Sequence, residues 1–175
     1  MFIDRALAAR GAELLGHGDF AAVISDPSDP TRVLKFGLST ADAWPAWARF
    51  SREYQSTHTP VIHNFRWLAN EAGHRIMYVA EVERLQPWDG TEHAELRGLL
   101  GSSKLRADAG ELADAVGLID FGLACFLYQV RRAFPFGTHD MGPSNWMIRP
   151  STGGLVLNDP LSYRANVGDT KGITL

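Results

Sequence analysis

The chain has little cysteine, no basic run and no long apolar segment, and each shortage excludes a class of protein. Cys125 is the only cysteine among 175 residues, so no disulfide can form within the chain, and we expect a reducing compartment. Cys125 lies in an apolar run, which predicts a buried and unreactive thiol. No segment approaches the ~20 apolar residues of a membrane span, and the N-terminus has no apolar core of a signal peptide. We therefore expect a soluble, cytoplasmic protein with no membrane partner.

Positive charge is scarce as well. The formal net charge is −3, so we expect no nucleic-acid partner, because broad binding to phosphates needs many Lys and Arg contacts. The six histidines occur without H-E-x-x-H or C-x-x-C companions, which argues against a zinc site. No serine lies in a G-x-S-x-G context, so a hydrolase triad has no support.

The apolar pattern divides the chain into a strand-rich part and a helix-rich part. The predicted strands are 21–25, 32–36, 62–68 and 75–82, the first two joined as a hairpin by the turn 26–30. The predicted helices are Ile3–Leu14, Ala41–Ser56 with one aromatic face, Glu92–Leu100 and Leu112–Phe134. This order predicts an α+β fold with two segregated halves, residues 1–84 and 85–175.

The most informative feature is an Asp–Asn–Asp series in the last third of the chain. Asn145 follows Asp140 by five residues, and Asp159 comes fourteen residues after Asn145. This layout can place one carboxylate beside an attacking hydroxyl and two oxygen ligands on Mg²⁺, which is most of what phosphoryl transfer requires. An Asp/Pro/Asn turn entering a strand would give the same residues without a site.

Three features upstream of that series could together bind a nucleotide. Gly16 and Gly18 form a G-x-G between apolar runs, where backbone N–H groups can approach phosphate oxygens, although a turn without a ligand fits equally well. Lys35 lies in an alternating strand, where a solvent-facing lysine is the ordinary interpretation. Glu53 lies on the aromatic helix, where an exposed glutamate is usual. As a pair, a lysine held by a glutamate would extend toward the α- and β-phosphates of a nucleotide.

In this order the motifs resemble those of the protein kinase-like superfamily, over about residues 12–162. Gly16–Val23 resembles the glycine-rich loop G-x-G-x-x-G-x-V, with Ala21 in place of the third glycine. Met77–Glu83 is similar to the strand that enters the hinge, where backbone groups bind adenine. Thr138–Asn145 resembles H-R-D-L-x-x-x-N, and Asn158–Leu161 resembles the D-F-G region.

The resemblance implies a protein kinase-like fold, with an antiparallel-sheet N-lobe (1–84) and a reduced helical C-lobe (85–175), and it implies ATP and Mg²⁺ as cofactors. The implied catalytic residues are Asp140, Lys35 and Glu53. The implied nucleotide-binding residues are Gly16, Gly18, Val23, Lys35, Glu81 and Glu83. The implied Mg²⁺ ligands are Asn145 and Asp159.

Several residues depart from the family pattern. His139 stands in place of the usual Arg, Gly142 in place of Lys or His, and Pro160 in place of Phe. Sixteen residues follow Asp159, so we expect a truncated C-lobe without an activation loop of normal length. Asp120-Phe121-Gly122 spells the family's metal-binding tripeptide, but it lies inside a helical pattern upstream of Asp140, and we assign it to a buried helix.

These features leave two functions open. The first is an ATP/Mg-dependent phosphotransferase acting on a hydroxyl of a protein Ser/Thr, including its own, or of a small molecule. Such a protein is similar to short kinases of some bacteriophages and would act in the host cytoplasm. The second is an inactive, pseudokinase-like protein that binds and modulates a host or partner protein. An unrelated α+β fold in which the motif series is a coincidence is a third alternative.

The apolar character of Leu112–Phe134 bears on partners. The middle of this predicted helix is apolar nearly all round, which predicts that it is buried on more than one side. Such a surface rarely stays exposed on a monomer. We therefore expect a partner surface there, most simply that of a homodimer, or cover from a rearranged end of the chain.

Overall fold

A computed structural model describes residues 10–38, 42–91, 93–135 and 138–162. The chain divides into two compact units, Met1–Pro45 with Val61–Arg84 and Ala46–Pro60 with Leu85–Leu175. The functional division into lobes at 84/85 stays a prediction.

The first unit contains a five-stranded antiparallel sheet with the order β1-β2-β3-β5-β4. Its strands are β1 Leu14–His17, β2 Ala21–Ser25, β3 Arg32–Leu38, β4 Ile62–Ala69 and β5 Arg75–Glu83. The predicted hairpin of β2 and β3 is confirmed. Asp26 and Asp29 close its loop by accepting hydrogen bonds from the N–H groups of Ser28 and Thr31, at 2.8 and 2.9 Å.

Aromatic side chains stack on one another within this unit. The ring of Trp44, fully buried, lies 5.5 Å from that of Tyr78 and 6.4 Å from that of Phe65. The hydroxyl of Tyr78 donates to Asp42. Gly37 lies opposite Tyr78 in the register of β3 and β5, and a Cβ at Gly37 would come within 2.4 Å of the Tyr78 ring. The close approach of the ring therefore requires glycine at this position.

The remaining elements complete an α+β fold, as predicted. The helices are α1 Trp44–Tyr54, α2 Ala94–Leu99, α3 Ser103–Ala107, α4 Ala109–Val116 and α5 Phe121–Ala133. Of the short strands, β6 Gln86–Pro87, β8 Trp146–Ile148 and β9 Leu155–Leu157 form one antiparallel sheet, and β7 Thr138–His139 pairs with β10 Leu161–Ser162. None of the helices in the described part of the chain has the length and apolarity needed to cross a membrane.

The prediction of one continuous helix over Leu112–Phe134 is wrong. Helix α4 ends at Val116, and Asp120 begins α5 by accepting a hydrogen bond from the N–H of Leu123 at 2.9 Å. The turn between the two helices exposes Leu118 at 98%. An N-capping aspartate three residues after a glycine has therefore overridden the apolar periodicity. Asp120–Gly122 starts a helix instead of lying within a buried one, and Phe121 is 77% exposed.

Two further expectations need correction. Cys125 is exposed, because it lies on the face of α5 opposite the buried residues. Residues 3–9 of the predicted helix Ile3–Leu14 lie outside the described residues. The rest of this prediction is wrong, because residues 10–11 form a turn and β1 begins at Leu14. Pairing of β1 with β2 thus fixes Leu14 as a strand residue.

Candidate functional site

Two segments of the second unit lie side by side. The segment from Asp140 to Asn145 follows β7, and the segment from Asn158 to Pro160 precedes β10; β7 and β10 pair antiparallel. The N–H of Asp140 donates to the carbonyl of Pro160 at 2.7 Å, and the N–H of Asn158 donates to the carbonyl of Asn145 at 2.8 Å. The structure therefore brings together the backbone around Asp140, Asn145 and Asp159.

The side chain of Asp140 shapes its own turn. It is exposed, and its Oδ1 accepts a hydrogen bond from the N–H of Gly142 at 3.0 Å. A Cβ at residue 142 would also lie 3.0 Å from this oxygen, so a larger residue would press on the carboxylate. Glycine at this position therefore suits a tight turn that leaves the Asp140 carboxylate at the surface.

The next residue, Met141, anchors this turn in the core. Met141 is fully buried, and its N–H donates to the carbonyl of Arg106 at 2.8 Å. Its carbonyl accepts a hydrogen bond from Nε1 of Trp146, a buried side chain, at 3.1 Å. Asp140 is thus held by β-pairing on one side and by a buried residue on the other.

Asn145 is oriented by the same turn. Its Nδ2 donates to the carbonyl of Asp140 at 2.9 Å. This bond fixes the orientation of the side-chain amide, whose oxygen is the atom with lone pairs for a metal. Asp159, half-buried, offers carboxylate oxygens from the neighbouring segment.

These donors suit magnesium better than zinc. Amide and carboxylate oxygens are hard ligands, and Mg²⁺ is commonly held by one or two such groups together with waters and substrate phosphates. No cluster of three His, Cys, Asp or Glu side chains able to hold a metal occurs among the described residues. The donor chemistry of Asn145 and Asp159 is compatible with a magnesium ion that shares its coordination with a phosphate ligand, and their role as ligands stays a prediction.

A histidine supports the site from within the core. His139 is 3% exposed, and its Nδ1 accepts a hydrogen bond from the N–H of Ala109, at the start of α4, at 3.2 Å. Burial lowers the pKa of His139, and Arg131 lowers it further, while Asp108 opposes them. The lowered pKa favours the neutral imidazole, in which Nδ1 can accept the hydrogen bond that ties β7 to α4. In the sequence His139 is only a departure from the family pattern, and no local signal predicts this contact.

The hairpin that leads to Asp159 is also fixed to its surroundings. Arg149, after β8, donates to the carbonyls of Thr57 and Thr59 at 2.7 and 2.8 Å. The N–H of Leu157, in β9, donates to the carbonyl of His58 at 2.9 Å. These bonds attach both strands of the hairpin to the segment after α1.

Lys35 lies in the middle of the sheet of the first unit. It is 6% exposed and has Val23 of β2 and Ala80 of β5 as its cross-strand neighbours. Its Nζ lies 4.5 Å from the centre of the Trp44 ring, within the range of a cation–π contact. The alternative of a solvent-facing edge lysine is therefore wrong.

Gly16 and Gly18 belong to the hairpin of β1 and β2, with Gly16 opposite Val23. Both glycines are exposed, and a Cβ at either would meet nothing within 4 Å. Neither has the positive φ that favours glycine. The fold of the described residues therefore gives no steric reason for glycine at these two positions.

Glu53 and the glutamates of β5 are engaged in local contacts. Glu53, 64% exposed, forms an ion pair with Arg49 one turn earlier on α1, at 2.7 Å. Oε1 of Glu83 accepts a hydrogen bond from the N–H of Val61 at 2.9 Å. Its own N–H donates back to the Val61 carbonyl at 3.0 Å.

Glu81 has similar contacts within the first unit. Its carboxylate lies 3.5 Å from the guanidinium of Arg32 and accepts from the amide of Asn64 at 3.3 Å. The proposed support of Lys35 by Glu53 and the adenine contacts of Glu81 and Glu83 stay predictions.

Comparisons with known proteins find a similarity among solved structures. No protein-family model matches the chain. No curated protein sequence matches it significantly. Among solved structures, the kinase PK-1 of Cydia pomonella granulovirus is similar, with 15% identity and a TM-score of 0.47, over 90% of this chain and 57% of that chain. The chain thus spans little more than half the length of that kinase, and a likeness at this level assigns neither family nor activity.

Proposed function

We propose that this protein is a kinase-like phosphotransferase that transfers the γ-phosphoryl group of ATP to a hydroxyl, with a protein Ser/Thr as the acceptor, including one of its own. The supporting observation is the pairing of the two segments that carry Asp140, Asn145 and Asp159, through hydrogen bonds of 2.7 and 2.8 Å. A general base and two metal ligands are the groups that this chemistry requires in one place.

Each residue has one role in the proposal. Bound ATP with Mg²⁺ supplies the phosphoryl group and neutralises its charge. The carboxylate of Asp140 orients the acceptor hydroxyl and takes its proton, while Asn145 and Asp159 offer oxygen ligands to the metal. Lys35 binds oxygens of the α- and β-phosphates, with Glu53 supporting it. The residues proposed to cover the phosphates and the adenine are Gly16, Gly18, Val23, Glu81 and Glu83.

Gly142 favours a second candidate, an inactive protein that binds and modulates a partner. Kinases place a Lys or His at the position of Gly142, where it faces the phosphates. Here the turn brings a Cβ at this position within 3.0 Å of Asp140 Oδ1, and no cation is supplied. Without a cation at this position, one charge that usually stabilises the transferred phosphoryl group is missing. This loss favours the inactive candidate.

The deciding experiment incubates the protein with γ-labelled ATP and Mg²⁺, alone and with a cell lysate. We expect label in the native protein or in a lysate protein, and a loss of roughly 10²–10⁴-fold in Asp140→Asn, because the general base is removed. Glu71→Gln, which removes the same charge from an exposed turn, is the matched control and should label normally.

A thermal-shift measurement with ATP separates the two candidates. We expect Mg²⁺ to increase the stabilisation by ATP in the native protein and not in Asp159→Asn. Stabilisation without label would favour the binding protein. The absence of both label and stabilisation by ATP would contradict the proposed enzyme.

A further inference from the structure

Helix α5 has an exposed stripe of unusual composition. Its buried face carries Leu123, Ala124, Phe126, Leu127 and Val130. The opposite face presents Phe121, Cys125, Tyr128 and Arg132, all exposed, at spacings of four, three and four residues. Phe121 is 77% exposed and Tyr128 47%. This is the spacing of the seam by which two helices pack side by side.

Leu118 in the preceding turn adds to this apolar surface, since 98% of it is exposed. Polar residues normally occupy the outer face of a helix that packs on a core. We propose that the exposed face of α5 is a self-association surface, on which a second copy of the chain packs with its own α5 antiparallel.

The charges on α5 select the antiparallel arrangement. Asp120 lies at the N-terminal end of the helix, and Arg131 and Arg132 lie in its last turn. A parallel pair would place the arginines of the two copies together. An antiparallel pair places Arg132 beside Phe121 and Asp120 of the other copy, where the guanidinium meets an aromatic ring and a carboxylate.

The area of the surface sets the strength of association. A fully buried aromatic side chain contributes ~150–250 Å², so the exposed 77% of Phe121 and 47% of Tyr128 would bury roughly 400–600 Å² in a symmetric pair. Leu118, Cys125 and Arg132 add to this area, and the total stays below the ~1,200 Å² at which stable, specific interfaces begin. We therefore expect a reversible dimer whose population rises with protein concentration.

Sedimentation equilibrium over a range of concentrations tests the surface. We expect Phe121→Ala and Arg132→Glu each to raise the dissociation constant of the dimer roughly tenfold or more, as loss of an anchor residue does. Phe121→Ala should fold normally, because the side chain is exposed and alanine is favourable in a helix. Ile76→Ala, which changes a 48% exposed side chain of β5, is the matched control and should dimerise normally.

Cross-linking with a short bismaleimide tests whether the interface lies on the exposed face of α5, because Cys125 on that face is the only cysteine. We expect the native protein to form a covalent dimer, and a Cys125→Ser, Ile76→Cys variant to form no cross-linked dimer. A native protein that sediments as a monomer at every concentration would overturn the proposal. So would a dimer that Phe121→Ala and Arg132→Glu leave intact, or equal cross-linking through residue 76.

Discussion

Two buried tryptophans allow a direct test of how the candidate active-site turn is held. Trp146 and Trp47 are 1% and 0% exposed, and both belong to the second unit. Nε1 of Trp146 donates to the carbonyl of Met141 at 3.1 Å. Nε1 of Trp47 finds no acceptor among the described residues. Substitution of each by Phe removes the same atoms from a core and differs in one hydrogen bond.

The expected difference follows from that bond. Both substitutions lose packing, at about 1–2 kcal/mol each, and this cost largely cancels between them. Trp146→Phe also leaves the Met141 carbonyl buried without a partner, at a cost of about 1–3 kcal/mol, whereas Trp47→Phe removes a donor that was already unsatisfied. We therefore expect Trp146→Phe to be less stable than Trp47→Phe by about 2 kcal/mol, or roughly 4–8 °C in Tm for a chain of this size.

The assay is unfolding in urea and by heat, followed by near-UV circular dichroism. Phosphoryl transfer, measured at a temperature where both variants are folded, should fall further in Trp146→Phe, because the carbonyl that it loses belongs to the residue after Asp140. Equal losses of stability in the two variants would refute the reasoning, since the hydrogen bond would then contribute nothing beyond packing.

Two further predictions concern stability alone. Burial lowers the pKa of His139 below its ordinary value of 6.5, so the unfolded chain binds the proton more readily; the free energy of unfolding should fall as the pH decreases through 6.5, and His139→Gln should flatten this dependence. Denaturant titrations between about pH 7.5 and 5.5 measure this, and an unchanged slope in the variant would contradict it. Gly37→Ala should cost about 1–3 kcal/mol, because its Cβ meets the ring of Tyr78 at 2.4 Å. Gly18→Ala, with nothing within 4 Å, should stay within ~0.5 kcal/mol of the native protein in the same measurement.

Much of the fold could be predicted because its signals are local. The turn at 26–30 contains two Asp residues and two prolines, and such a turn specifies a hairpin wherever the chain later packs. The prediction failed where a local signal competed with an apolar period. Gly117 and Asp120 end one helix and begin another, although the residues around them are apolar. The exposure of Cys125 could not be predicted, because it depends on which face of α5 meets the core.

The segments of the candidate site were predictable, and their contacts were not. Asp140, Asn145 and Asp159 are recognised by type and spacing, which are properties of the sequence. The bond from Trp146 to Met141 and that from Ala109 to His139 join residues by tertiary packing. No periodicity or turn signal encodes such pairs, so only the folded chain reveals what holds the turn.

Glycine shows the same division between fold and site. Gly37, Gly142 and Gly18 cannot be told apart from the sequence, but the structure gives a Cβ at each position different surroundings. An aromatic ring occupies the space where a Cβ of Gly37 would lie. A Cβ at Gly142 would lie 3.0 Å from Oδ1 of Asp140. Gly18 has neither a close neighbour among the described residues nor a positive φ, so the described part of the fold does not require glycine there. An alanine at Gly18 that leaves stability unchanged and weakens nucleotide binding would assign this position to the nucleotide site.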